Sequence, residues 1–186
     1  MKLIVAVCGA SGINYAITLL KELKKRKIET HLVLSDWAEK LAREECSIGR
    51  KELEKMADYC YSENEMNARI ASSSFLCEGM IVLPASVKTV SEIATAHTGT
   101  LISRCADIML RTKRKIVVCV RETPLSAPTL KNLQEIALYG GIVMPLSPAF
   151  YQKPKTIKDL ELFMAGKIMD LFGIKNSLYK RWKDEP

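Results

Sequence analysis

The chain has 186 residues, 48% of them hydrophobic and 26% charged, with a formal net charge of +7. That length suits one domain with a full core rather than two small ones, and the composition is that of an ordinary globular protein. No apolar run approaches the roughly 20 residues that span a bilayer, which excludes a membrane-embedded role. The opening MKLIVAVCGASG has too short an apolar stretch for a secretory leader, so a cytoplasmic location is expected. The positive charge is scattered over KELKKRK (21–27), RTKRK (111–115) and YKRWK (179–183). The first two runs carry no interleaved aromatic residues, which favours anionic small ligands over nucleic acid. Cysteines 8, 46, 60, 77, 105 and 119 form no CxxC pair and have no histidines at ligand spacing. They read as reduced thiols, with no metal site.

In chain order, β-rich apolar runs at 2–7, 31–34, 80–83, 115–120 and 142–144 predict strands. Segments of helical spacing lie between them. Ile13, Ala16, Ile17, Leu20 and Leu23 share one face, Leu101, Cys105, Ile108 and Met109 a second, and Leu130, Leu133, Ile136 and Ala137 a third. A last helix and tail run from about 156. Short strands alternating with helices predict an α/β fold: a single Rossmann-like domain over 1–186, three layers deep (α/β/α), with a mainly parallel sheet.

The predicted strands end in small, hydroxyl or charged residues. The first leads to Gly9-Ala10-Ser11-Gly12, a tight turn into a helix whose free N–H groups suit a phosphate. The second ends in Ser35-Asp36 and the third in Pro84-Ala85-Ser86-Val87-Lys88-Thr89, both of which also read as helix caps. The fourth ends in Arg121-Glu122-Thr123-Pro124. In a parallel sheet these ends share one edge and can converge on one ligand. The ligand implied is phosphorylated and largely flat, a nucleotide or a flavin. Arg104 and Arg111 lie seven apart on one helix face, as a solvated basic stripe or a phosphate clamp. His97 reads as a helix C-terminal or surface group, and His31 as a core or edge residue.

Several stretches together resemble the UbiX/Pad family of flavin prenyltransferases, within the flavin-binding, cysteine-decarboxylase-like fold. They are VCGASGINYAITLL near the N-terminus, IASSSF at 70–75, PASVKTVSEIA at 84–94 and LISRCADIMLRTKRKIVVCVRETPLS at 101–126. GGIVMPLSPAFYQKP at 140–154, AGKIMDLFGI at 165–174 and the terminal KRW complete the set, in the family's order. RETPLS followed by PAFYxxP is the specific part.

The resemblance implies that FMN is held by Gly9, Ala10, Ser11, Ser35, Ser86, Val87, Lys88, Thr89, Arg104 and Arg121. It implies that Glu122 lies at the reacting centre, that Tyr151 and Lys167 bind the phosphate of dimethylallyl phosphate, and that Arg111 and Arg121 add cations there. Trp182 matches an aromatic residue near the active site. The implied reaction joins a prenyl group to reduced FMN at N5 and C6 without a metal. The product, prenylated FMN, would go to a UbiD-type decarboxylase, and the assembly would be a homo-oligomer, commonly a dodecamer. Where the family usually has Ala-Ser-Gly-Ser this chain reads Ala71-Ser72-Ser73-Ser74, Gly99-Thr100-Leu101 replaces Asp-Asn-Leu, and Lys167 replaces a common arginine. Two other expectations follow from the fold: a non-catalytic FMN-binding protein, and a peptidyl-cysteine-type decarboxylase, whose PxMNxxMW stretch and catalytic histidine this chain lacks.

Overall fold

The sheet follows from six short segments: β1 (Lys2–Val7), β2 (Glu29–Leu34), β3 (Tyr59–Ser62), β4 (Gly79–Ala85), β5 (Lys115–Val120) and β6 (Ile142–Val143). All five pairings are parallel. They are seen in a computed structural model that describes residues 1–183. Helices α1 (Ile13–Lys25), α2 (Asp36–Cys46), α3 (Arg50–Glu54), α4 (Val87–Ala94), α5 (Leu101–Arg111), α6 (Ala127–Leu138) and α7 (Ile157–Leu171) supply the crossovers. Side chains on a strand alternate between faces. Leu3, Val5 and Val7 therefore pack with α1 and α7 on one side, while Ile4 and Ala6 pack with α4, α5 and α6 on the other. Strands covered on both faces have to be apolar throughout, which is why β1, β4 and β5 are legible as unbroken runs.

The strand order is β3-β2-β1-β4-β5-β6. The chain starts in the middle, builds outward through β2 and β3, then returns to lay β4 on the other side of β1. Connections leave β1 and β4 in opposite directions, so a crevice opens at their carboxyl ends. Among the described residues no helix is long and apolar enough to cross a membrane.

Several boundaries differ from the sequence expectation. β3 is an additional strand: it is a four-residue edge with no fully buried position, so it carries no apolar run. α3 is likewise additional, and α2, whose Ser35 cap was legible, carries no clear apolar face because few of its residues are buried. On α6, Leu130 and Ala137 point outward, because Thr129 takes the inward position beside Leu133 and Ile136. His31 is fully buried on β2, and His97 is exposed just past α4.

Candidate active site at the sheet switch point

Two helix heads face the β1/β4 crevice. Ser35 caps α2, its Oγ accepting from Ala38 N–H at 3.1 Å. Ser86 caps α4, its Oγ accepting from Thr89 N–H at 3.3 Å and lying 3.0 Å from Thr89 Oγ1. The capping role and the ligand role coincide here, since a capped helix still presents its positive end to the crevice. The result is a cleft of about 280 Å³ lined by Gly9, Ser35, Trp37, Glu63, Ser86, Lys88 and Thr89. Val87 opens α4 directly behind Ser86. Ala10 is buried in the β1 turn and Ser11 is exposed.

Gly9 is dictated by packing rather than by a left-handed backbone. A Cβ placed there would overlap the Cβ of Trp37 and fall 3.3 Å from its Cγ. Gly12, by contrast, is left-handed at φ 100° and turns the chain into α1.

The head of α1 corrects the expectation of free N–H groups. Glu45 Oε2 accepts from Gly12 N–H at 2.9 Å and Ile13 N–H at 3.1 Å, so a carboxylate of α2 already fills that place. Glu63 is similarly engaged, its Oε1 accepting from Asp36 N–H at 2.9 Å. The donors left for a phosphate are those at the α4 head, the seryl hydroxyls and Lys88, whose ammonium pairs with Glu92 at 3.0 Å.

Arg121 is anchored next to this cleft, its backbone N–H donating to Ala85 O at 3.2 Å. Its Nε is buried with no acceptor in reach. A buried, unpaired guanidinium N–H is costly unless something accepts from it, so the position suits an anionic or carbonyl-bearing ligand. The hydroxyls, the positive helix end, the close Gly9 turn and Arg121 together fit a flavin mononucleotide. Glu122, the next residue, is exposed, and its Oε1 accepts from Thr123 N–H at 3.0 Å. Among the described residues it pairs with no cation, leaving its second oxygen available.

A second group gathers where the β6 loop, α7 and the C-terminal tail meet. Tyr151 stands edge-on to Trp182 (centroids 5.2 Å apart) and to Phe163 (6.1 Å), and Phe163 in turn to Tyr179 at 5.0 Å. Lys167 Nζ lies 5.9 Å from the Tyr179 ring centroid, a cation–π contact. One carboxylate ties the tail down. Asp170 accepts from Tyr179 Oη at 2.5 Å, from Arg181 through two nitrogens at 2.9 and 2.7 Å, and from Asn176 Nδ2 at 2.9 Å. Burial alone would raise its pKa, but the bonds from Arg181, Tyr179 and Asn176 outweigh it and hold the carboxyl below its usual range. The same burial, reinforced by the bond to Asp170, pushes Tyr179 up to about 12.

Two cations stand apart from both groups. Arg104 Nε donates to Ala71 O at 3.3 Å, and its guanidinium is 3.9 Å from Asp107. Arg111 Nε is 3.1 Å from the same carboxylate. Because α5 runs antiparallel to the strands, Arg111 sits just before β5 begins, at the amino edge of the sheet. Arg104 and Arg111 thus share a single carboxylate, Asp107, which offsets one of their two charges. Ser73 has no positive φ, and its carbonyl accepts from Arg114 at 2.9 Å, so replacing glycine there strains nothing. The buried thiols are inert: burial raises Cys8 and Cys105 to about 12 each, and Cys119 further. No three metal-ligating side chains cluster among the described residues.

Sequence reasoning missed Trp37, Glu45 and Glu63. The only signal for them was position, in or just beyond segments that follow strand ends.

The sequence model of the Flavoprotein family matches residues 1–169. The flavin prenyltransferase UbiX of Methanocaldococcus jannaschii is 42% identical over 182 residues, which is 98% of each chain. The crystal structure of AnUbiX (PadA1) in complex with FMN and dimethylallyl pyrophosphate superimposes with a TM-score of 0.97 at 38% identity, covering 100% of this chain and 98% of that one. A dodecameric FMN-dependent UbiX-like decarboxylase from Escherichia coli O157:H7 gives 0.96 at 35% identity, covering 98% of this chain and 100% of that one. A peptidyl-cysteine decarboxylase gives 0.65 at 18% identity, covering 80% of this chain and 87% of that one, which is a likeness of fold alone.

Proposed function

The chain belongs to the UbiX flavin prenyltransferases of the Flavoprotein family, and from that premise we propose that it joins a dimethylallyl group from dimethylallyl phosphate to N5 and C6 of reduced FMN. The observation that carries the reading in this chain is the switch-point cleft. Two capped helix heads and the close Gly9 turn line it, and Arg121, with its unpartnered Nε, and Glu122 follow the neighbouring strand β5, where Arg121 N–H donates to Ala85 O.

Bound FMN supplies the nucleophilic ring atoms. The protein's own groups do the rest. Gly9, Ala10 and Ser11 line the turn against it; Ser35, Ser86, Val87, Lys88 and Thr89 hold its phosphate; Arg121 supplies a buried donor. Departure of phosphate from an allylic carbon builds negative charge on the leaving group and positive charge on the prenyl fragment. Lys167 stabilises the first electrostatically and Tyr151 donates a hydrogen bond to it. The edge-on face of Trp182 favours the second. Glu122, with one oxygen held by Thr123 N–H, moves the proton that ring closure releases. Arg111 adds a further cation for the leaving phosphate, supplied across a subunit contact if the chain assembles like its dodecameric relative. Arg104, bonded to the Ala71 carbonyl, steadies the 69–74 segment against α5 and acts on the flavin indirectly. The product is destined for a UbiD-type decarboxylase.

The test is anaerobic incubation with reduced FMN and dimethylallyl phosphate, followed by mass measurement of the extracted flavin. A gain of one prenyl unit is expected. Bound but unmodified FMN with both the monophosphate and the diphosphate donor would refute the reading and leave a flavin carrier.

A further inference from the structure

A cavity of about 440 Å³ between the 152–155 loop and the tail at 177–180 plays no part in that scheme. Three lysines, Lys153, Lys155 and Lys180, are among the residues that line it. None of the three has a carboxylate or hydrogen-bond partner among the described residues. Lys25, Lys88 and Lys158, by comparison, pair with Glu22, Glu92 and Glu161. The one acid in the wall, Asp159, is already committed: its Oδ2 accepts from the backbone N–H groups of Lys155 and Thr156, each at 2.9 Å. Those bonds hold its carboxyl below the usual range, so it stays charged and the wall keeps a balance of two positive charges from three cations and one anion. Gln152 adds a side-chain amide nitrogen that is buried without an acceptor.

We propose that this cavity is a second phosphate-binding site, separate from the donor-phosphate position at Tyr151 and Lys167. Cations that line one cavity without matching acids attract a compact polyanion. Phosphate-class anions match the charge, the size and the N–H donors available. The location supports the same choice. Gln152 follows Tyr151 directly, and Tyr179 borders the cavity while its ring contacts Lys167. Two sources share this chemistry: the phosphate released by the transfer, and the second phosphate of a diphosphate donor. The role at the reaction rests on the proposed function; the anion site itself does not.

Binding is measured by calorimetry with inorganic phosphate and pyrophosphate on the protein holding FMN and saturating dimethylallyl phosphate. One further equivalent per chain is expected in the native protein. The K153Q/K155Q/K180Q variant, altered at exposed side chains only, is expected to bind it roughly tenfold more weakly or worse, a difference of about 1.4 kcal/mol. K180Q alone gives a smaller loss and guards against a folding defect in the triple variant. No further equivalent, or equal affinity in native and triple variant, overturns the proposal. Turnover then separates the sources. If the site takes the donor's second phosphate, the triple variant raises KM for dimethylallyl diphosphate and leaves the monophosphate unchanged. If it takes released phosphate, product inhibition weakens equally with both donors. A protein that binds pyrophosphate through these lysines and transfers no prenyl group keeps the site and loses the proposed function.

Discussion

Gly9→Ala adds one methyl group to the β1 turn, and the structure says where it lands. The new Cβ overlaps Trp37 Cβ. That atom cannot rotate away, because it is fixed to the first turn of α2, whose head is held by the Ser35 cap and by Glu63 on Asp36 N–H. Overpacking of this kind costs about 1–3 kcal/mol, which in a chain of this size lowers Tm by roughly 2–12 °C. FMN affinity falls with it, since Gly9 and Trp37 both wall the cleft. Trp37→Ala keeps a Cβ and does not relieve the overlap. Trp37→Gly removes it, at its own cost of about 1 kcal/mol for glycine in a helix. Thermal unfolding and FMN titration of Gly9→Ala in the native, Trp37→Ala and Trp37→Gly backgrounds form a double-mutant comparison. The penalty is expected in the first two and absent in the third. An equal penalty in all three, or none in the native background, would refute the reasoning.

Glu122→Gln keeps the acceptor that Thr123 N–H uses but removes the base, so FMN binding should persist while prenylated product falls by roughly 100-fold or more. Asp170→Asn weakens the hold on Arg181 and Tyr179; KM for dimethylallyl phosphate should rise and Trp182 fluorescence shift to the red, with FMN affinity unchanged, and an unaltered KM and spectrum would count against the tail's role. His31 is buried against Tyr59 and Tyr61, and that burial lowers its pKa against the opposing bond it donates to Glu29. A depressed folded value means that its stabilising contribution is complete above the unfolded pKa of about 6.5 and is lost as pH falls through the folded value. Urea midpoints should therefore drop between pH 7.5 and pH 5, and less so in His31→Phe; parallel slopes would show that His31 is not the cause.

The doubly covered strands were legible because burial on both faces leaves no room for polar residues, and β1, β4 and β5 are buried nearly throughout. β3 was not, because a sheet edge of Tyr59, Cys60, Tyr61 and Ser62 pairs on one side only. Ser35, Ser86 and Thr89 could be placed at one edge from strand direction alone. Gly9 could be flagged, but not explained: its partner Trp37 is brought in by tertiary packing. Glu45 reaches Gly12 across 33 residues, and local pattern carries no trace of that.

The knot at Asp170 has a practical side for anyone handling this protein. The chain's two ends are not equivalent. Met1 is exposed and leads into the amino end of the central strand, so a purification tag there lies away from the cleft of its own chain. The described part of the tail is moored through Asp170 at Tyr179 and Arg181, next to Trp182, with Tyr179 wedged against Gly166, where even a methyl group would come within 2.6 Å of its ring. A tag added at that end pulls on the mooring. A protein that looks well behaved but turns over slowly in that form would be reporting on its handle and not on its active site.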